Sequence, residues 1–168
     1  MRILALSLLT AACLLAESNP LTKAVTARYS SAKQFLIGSA QLMPEADYSF
    51  KLSASQRPFT EWIQHTAMGN YGFCSAIGGG ARPDTAKIHD ATKKEDLVAA
   101  LKQSFDYCDE ALKSMDDATA LAETGGKYPV NAMIGLIASL NDHYGNIVGY
   151  LRAKGLTPPS SEPKKAAK

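Results

Sequence analysis

PVNAMIGLIASLNDHYGNIVGYLRAKG, residues 129–155, carries its apolar residues at Met133, Ile137, Leu140, Tyr144, Ile147 and Leu151. Steps of three and four repeat along it, the period of one face of an α-helix and not the alternation of a half-buried strand. Pro129 suits the first helical position, where a missing N–H costs nothing, and Gly155 with Pro158-Pro159 stops the run. Such a helix must bury its stripe against other elements, so the rest of the chain decides the fold.

The preceding segments read the same way. Thr92 and Glu95 have capping-box spacing, and from there Leu97, Leu101, Phe105, Cys108, Leu112 and Met115 predict a long third helix, broken by Gly125-Gly126. Pro58 opens a second helix with Glu61 near its positive end, with Trp62, Thr66, Gly69, Phe73 and Ile77 as its buried stripe. Gly78-Gly79-Gly80 ends it, and a loop with Pro83 follows. Asn19-Pro20 offers a cap and a first-turn proline for a first helix through Val25, Tyr29, Ala32, Leu36 and Ser39 to about Leu42. Met43-Pro44 ends that helix, because the residue before proline is pushed out of the helical region. Between the first two helices Tyr48, Phe50 and Leu52 alternate without any partner strand, which predicts an extended crossover pinning its aromatics to the bundle. Four amphipathic helices with no internal repeat give an all-α four-helix bundle, and the long first link argues against simple up-down-up-down order.

At 168 residues and 46% hydrophobic, the chain suits one domain with a sizeable core. Its 18 basic and 16 acidic residues are too evenly balanced to demand nucleic acid or an anionic membrane as partner. Met1-Arg2 followed by the apolar stretch Ile3 to Leu15 is a secretory signal pattern, with cleavage expected after Ala16. The stretch falls short of the roughly 20 apolar residues of a membrane span. The expected organisation is a signal peptide at 1–16, the bundle at 17–159 and a disordered tail at 160–168 bearing Lys164, Lys165 and Lys168. The product is periplasmic or secreted. Thr10-Ala11-Ala12-Cys13 comes close to a lipoprotein box, with Thr where Leu is usual, so anchoring through Cys13 is the alternative. Cys74 and Cys108 then form an even pair in an oxidising compartment; a disulfide and two free buried thiols both stay open.

There are only three histidines. His65, three residues after Trp62, lies on or beside the inner face of the second helix, and His143 lies at the edge of the stripe of the fourth. His89, among Lys87, Asp90 and Thr92, is expected to be solvated. Histidines on facing helices can build a metal site, but a catalytic zinc takes three protein ligands, and one turn before His143 stands Ser139, a poor ligand as a neutral hydroxyl. Residues alone favour core-edge histidines satisfied by hydrogen bonds. Nucleophile elbow, P-loop and dinucleotide fingerprint are all absent. Asp109-Glu110 and Asp116-Asp117 read as the solvated face of the third helix, and Trp62 and the tyrosines read as core and interface rather than a ligand cage.

These pieces together resemble the DinB-like superfamily, which includes the damage-inducible DinB proteins, the YfiT-like metalloenzymes and thiol-dependent transferases. The matching residues are Met43-Pro44-Glu45-Ala46-Asp47-Tyr48, Phe59 to His65, Asn141-Asp142-His143-Tyr144-Gly145-Asn146, and Tyr150-Leu151-Arg152 with Gly155 and Pro158-Pro159. The resemblance spans about Pro20 to Pro159. It implies an up-down-down-up bundle and a divalent metal, Zn or Ni, held by one histidine of the second helix and two of the fourth. His65 and His143 match two of these positions and Ser139 occupies the third, so the triad is incomplete. Gly145-Asn146 replaces the usual Gly-Gln and keeps an amide on the same turn. The resulting expectation is an exported DinB-like protein of undefined activity, whose cleft around His65, Ser139 and His143 binds a small ligand or a weakly held divalent metal. An active metal-dependent transferase or hydrolase is the alternative, and a cell-envelope structural or interaction protein a third. A periplasmic location is compatible with all three, and a homodimer is common for bundles with an exposed apolar edge.

Overall fold

The four periodic segments become the four long helices of a computed structural model that describes residues 18–78 and 80–162. They are α1 (Pro20–Leu42), α2 (Phe59–Gly78), α4 (Lys94–Lys113) and α6 (Pro129–Ala153); the short α3 (Ala86–Asp90) and α5 (Asp117–Leu121) lie in the links. No strand is present among the described residues, only an isolated bridge between Thr124 and Lys127. Residues 1–17 lie outside the description, and with them the expected signal peptide at 1–16 and the Cys13 anchor. No described helix is long and apolar enough to cross a membrane.

Side-chain pairs fix the helix directions. Tyr29 of α1 reaches Asp109 of α4, while Lys94 at the start of α4 reaches the carbonyls of Gln41 and Met43 at the end of α1, so these two run antiparallel. Asn70 meets Ser104 and Cys74 meets Cys108, so α2 and α4 run parallel. Phe59 packs on Tyr150 near one end and Phe73 lies against Gly135 near the other, so α2 and α6 are antiparallel. The chain order is up-down-down-up, with α1 and α2 each packed on both α4 and α6. That sandwiching widens the buried face of α2 beyond one stripe: Ile63, Ala67, Asn70, Tyr71 and Cys74 are buried as well as Trp62, Thr66 and Ile77.

Leu36, Phe59, Ile63, Leu101, Phe105, Leu136 and Ile147 are fully buried and form the centre of the core. α2 and α6 approach closely because residue 135 is glycine: a Cβ there would come within 2.8 Å of the Phe73 ring.

Several local expectations need correction. The link between α1 and α2 is not an extended crossover; it makes a 3-10 turn at Glu45–Asp47. Tyr48 is buried, donates its hydroxyl proton to the Ala40 carbonyl at 2.6 Å and packs edge-on against Phe59, while Leu52 remains 42% exposed. Asn19 does not cap α1 with its side chain, for it adopts a left-handed conformation at φ 60°. The Asp117 carboxylate supplies the cap instead, accepting from the backbone N–H groups of Leu21 and Thr22 and from the Thr22 hydroxyl. Asp116 caps α5 by accepting from the Thr119 N–H. Neither aspartate belongs to a solvated face of the third helix, because that helix ends at Lys113. The Thr92–Glu95 capping box does not form either: α3 and the extended Ala91 shift the helix start so that Lys93 is the N-cap and Glu95 the second helical residue. At the C-terminal end residues 160–162, expected in the disordered tail, continue the fold. Pro159–Ser161 forms a 3-10 turn, and the Ser160 N–H and hydroxyl pair with the Tyr144 hydroxyl. Residues 163–168 lie outside the description.

Candidate functional site: an imidazole pair between α2 and α6

Antiparallel packing of α2 on α6 brings His65 and His143 to the same level of the bundle, with ring centroids 4.9 Å apart. His143 is 6% exposed, deeper than the edge position its spacing suggested, whereas His65 is exposed on the outer side of the pair. Trp62, one turn before Thr66, places its ring 5.6 Å from that of His143.

The hydrogen bonds around His143 determine its tautomer. The Thr66 hydroxyl donates its single proton to the Trp62 carbonyl at 2.7 Å. Its oxygen can therefore only accept from His143 Nδ1, 3.2 Å away, which puts the ring proton on Nδ1. The Nε2 lone pair then faces the Ser139 hydroxyl, which stands 3.4 Å from it as donor. A hydroxyl one turn along α6 thus occupies the side of the imidazole on which a further ligand would act.

Both rings are held neutral. Burial pushes His143 down to about 4, with the neighbouring His65 and the Arg57 charge acting in the same direction and Asp142 opposing them. His65 is also lowered, first by burial and then by Arg57. The Arg57 guanidinium lies over the Trp62 ring, 5.4 Å from its centroid. Trp62 is 8% exposed, and its indole N–H is buried without an acceptor among the described residues. Of the pair only His65 lines an open groove of about 610 Å³, together with Lys51, Arg57, Glu61, Gln64 and His89.

The donor set does not fit a tightly held divalent metal. Two neutral imidazoles could ligate one, but the third position is the Ser139 hydroxyl, already turned on the Nε2 lone pair that a metal would need. Asp142, next along α6, is exposed, and no group of three His, Cys, Asp or Glu side chains able to hold a metal occurs among the described residues. The positive charge of Arg57, felt by both imidazoles, works against a cation between them.

Of the residues singled out from the sequence, His65, Ser139 and His143 come together. His89, on α3, shares the groove with His65 but not the imidazole pair; its side chain is 76% exposed and paired with Asp90 at 3.1 Å. Cys74 and Cys108 face each other across α2 and α4 at disulfide distance, Cα to Cα 5.1 Å, and take no part in the cleft. Thr66 and Arg57 were not anticipated as site residues. The signal for Thr66 was local, since a threonine four residues after Trp62 can bond back to that carbonyl and present its oxygen outward. For Arg57 there was none, because its position depends on how the link folds.

The fold is similar to that of a DinB-like protein from Bacillus cereus known from a crystal structure, with a TM-score of 0.69 at 15% identity, covering 82% of this chain and 95% of that one. No protein-family model matches the chain, and no curated protein matches it in sequence. At this identity the likeness establishes a DinB-like fold.

Proposed function

We propose that this DinB-like bundle is an exported protein that binds a small polar ligand at the His65–His143 pair, with Ser139 completing the polar wall. The observation that carries the reading is the hydrogen-bond setting of His143, which puts the ring proton on Nδ1 toward Thr66 and leaves Nε2 beside the Ser139 hydroxyl and the imidazole of His65. A neutral ring with a known donor side and acceptor side is a preorganised recognition group: no proton has to move, and only the Ser139 hydroxyl has to turn from Nε2, before a ligand is engaged. The signal pattern of residues 1–16 supports export, and so does the Cys74–Cys108 pair, which suits an oxidising compartment.

A second reading is favoured by one observation, the close approach of two imidazoles: a divalent ion could occupy the pair weakly, held by His65 and His143. A metal-dependent transferase or hydrolase would need a third protein donor, which Ser139 supplies poorly as a hydroxyl. A cell-envelope interaction protein is the reading left if the cleft takes no ligand.

The test uses the sole tryptophan of the chain, Trp62, as a reporter built into the site. Titrating the folded protein with a panel of small polar fragments is expected to shift Trp62 emission and the ring resonances of His65 and His143 for at least one fragment. His143→Gln should abolish that response. Fragments that perturb neither signal, or that perturb His143→Gln equally, would overturn the reading.

A further inference from the structure

We infer that the ligand of this cleft is an anion, a small molecule whose carboxylate or phosphate group pairs with Arg57 and Lys51 while its remainder lies along His65. The inference rests on the ligand-binding reading above and adds the chemical class.

Charge balance is the first ground. Three lysines of the described structure sit on acids: Lys33 on Asp106 and Asp109, Lys113 on Glu110, and Lys154 on Asp47. Arg57 and Lys51 both line the groove beside His65, and neither has a carboxylate within salt-bridge distance among the described residues. Glu61 is the only acid lining that groove, so two fixed positive charges face one negative. The surplus is available to a ligand.

Preorganisation is the second. Arg57 is exposed, but its guanidinium lies over the Trp62 ring and its backbone is anchored where its carbonyl accepts the Tyr150 hydroxyl, so the charge sits over a rigid platform at the groove. A planar fork of donors held this way is suited to a carboxylate or phosphate. Its field already reaches the site, since the same charge acts on both His65 and His143.

The third ground is an orphan donor. The Trp62 indole N–H, buried on the ring that Arg57 stacks against, has no acceptor among the described residues. A buried donor left unpaired carries a desolvation cost that an incoming acceptor relieves. Trp62 does not itself line the groove, so the cations there set the complement, an oxyanion, and the unpaired indole N–H under Arg57 is a further unmet donor in the same neighbourhood.

Citrate and inorganic phosphate serve as the probes, titrated into the full mature protein by calorimetry and by Trp62 emission, with wild type, Arg57→Gln, Lys51→Gln and a control, Lys102→Gln, which removes one positive charge from a different groove on α4. The expected result is saturable binding of at least one probe, weakened tenfold or more by Arg57→Gln, weakened by Lys51→Gln and unchanged in Lys102→Gln. Tighter citrate assigns a carboxylate ligand, and tighter phosphate a phosphorylated one. Circular dichroism establishes that the exposed substitutions leave the bundle folded. Absence of saturable binding by either probe overturns the inference, as does equal weakening by Lys102→Gln, which would signify diffuse charge attraction. If neutral fragments still shift Trp62 emission while neither anion does, the anionic class alone falls; if no probe of any charge responds, the ligand-binding reading falls with it.

Discussion

Replacing His143 by glutamine should flatten the acid side of the stability profile. The amide introduced at this position can still meet the Thr66 hydroxyl but cannot titrate. In wild type, burial holds His143 from its ordinary 6.5 down to about 4, a preference for the neutral ring of about 3 kcal/mol. The sign follows from proton counting. Between about pH 6.5 and 4 the unfolded chain binds a proton on this imidazole and the folded chain does not, so stability falls as the pH drops through that window and is fully retained above it. At pH 4.5 the loss works out at about 2.5 kcal/mol relative to pH 8. Asp116 and Asp117, whose carboxyls are held below the usual range, lose their contribution only below about pH 4, and both proteins share it. His65, lowered as well, is also common to both. Urea unfolding followed by circular dichroism at 222 nm, at half-unit steps from pH 8 to 4.5, gives the comparison. Wild type should lose about 2.5 kcal/mol more than His143→Gln over that range. Parallel curves would refute the buried, neutral His143 and the tautomer argument built on it.

Other features of the bundle can be tested in the same way. Gly135→Ala should destabilise by about 1–3 kcal/mol despite the better helix propensity of alanine, because its Cβ would meet the Phe73 ring at 2.8 Å; thermal unfolding measures it, and Phe73→Leu in the same chain should recover part of the loss. Cys74→Ser should lower stability by about 3–4 kcal/mol, from loss of a cross-link that spans 34 residues, and reductant should do the same to wild type but leave the variant unmoved. Wild-type unfolding that is indifferent to reductant would show that the pair is not bonded in solution.

Much of the architecture was legible because each long helix carries its own punctuation. Pro20, Pro129, Gly78 and Gly155 mark ends that the structure keeps, and the stripe from Leu97 to Leu112 is buried as its spacing requires. The caps were not legible, for a physical reason: the acceptor for the first turn of α1 is Asp117, some 95 residues away in sequence, and no local pattern announces it. Glu95 illustrates the converse. Its spacing from Thr92 is that of a capping box, but one turn of α3 and the extended Ala91 move the helix start past it. At the site, helical spacing could place His65, Ser139 and His143 on facing elements, and they do meet. What spacing could not supply was the environment: the Thr66 bond that sets the tautomer, the burial that holds the ring neutral, and the charge of Arg57, whose approach depends on the 3-10 turn and the Tyr48 anchor of the preceding link.

The His65–His143 pair, on our reading, is a ligand site and does not hold a resident metal. Elemental analysis after dialysis, on protein expressed from Glu17 onward, tests this when wild type is compared with His65→Ala, His143→Ala and Ser139→His. The expected result is no stoichiometric metal in wild type and close to one equivalent of zinc or nickel in Ser139→His, where a third nitrogen donor is supplied. Near-stoichiometric metal in wild type, lost in both alanine variants, would contradict it.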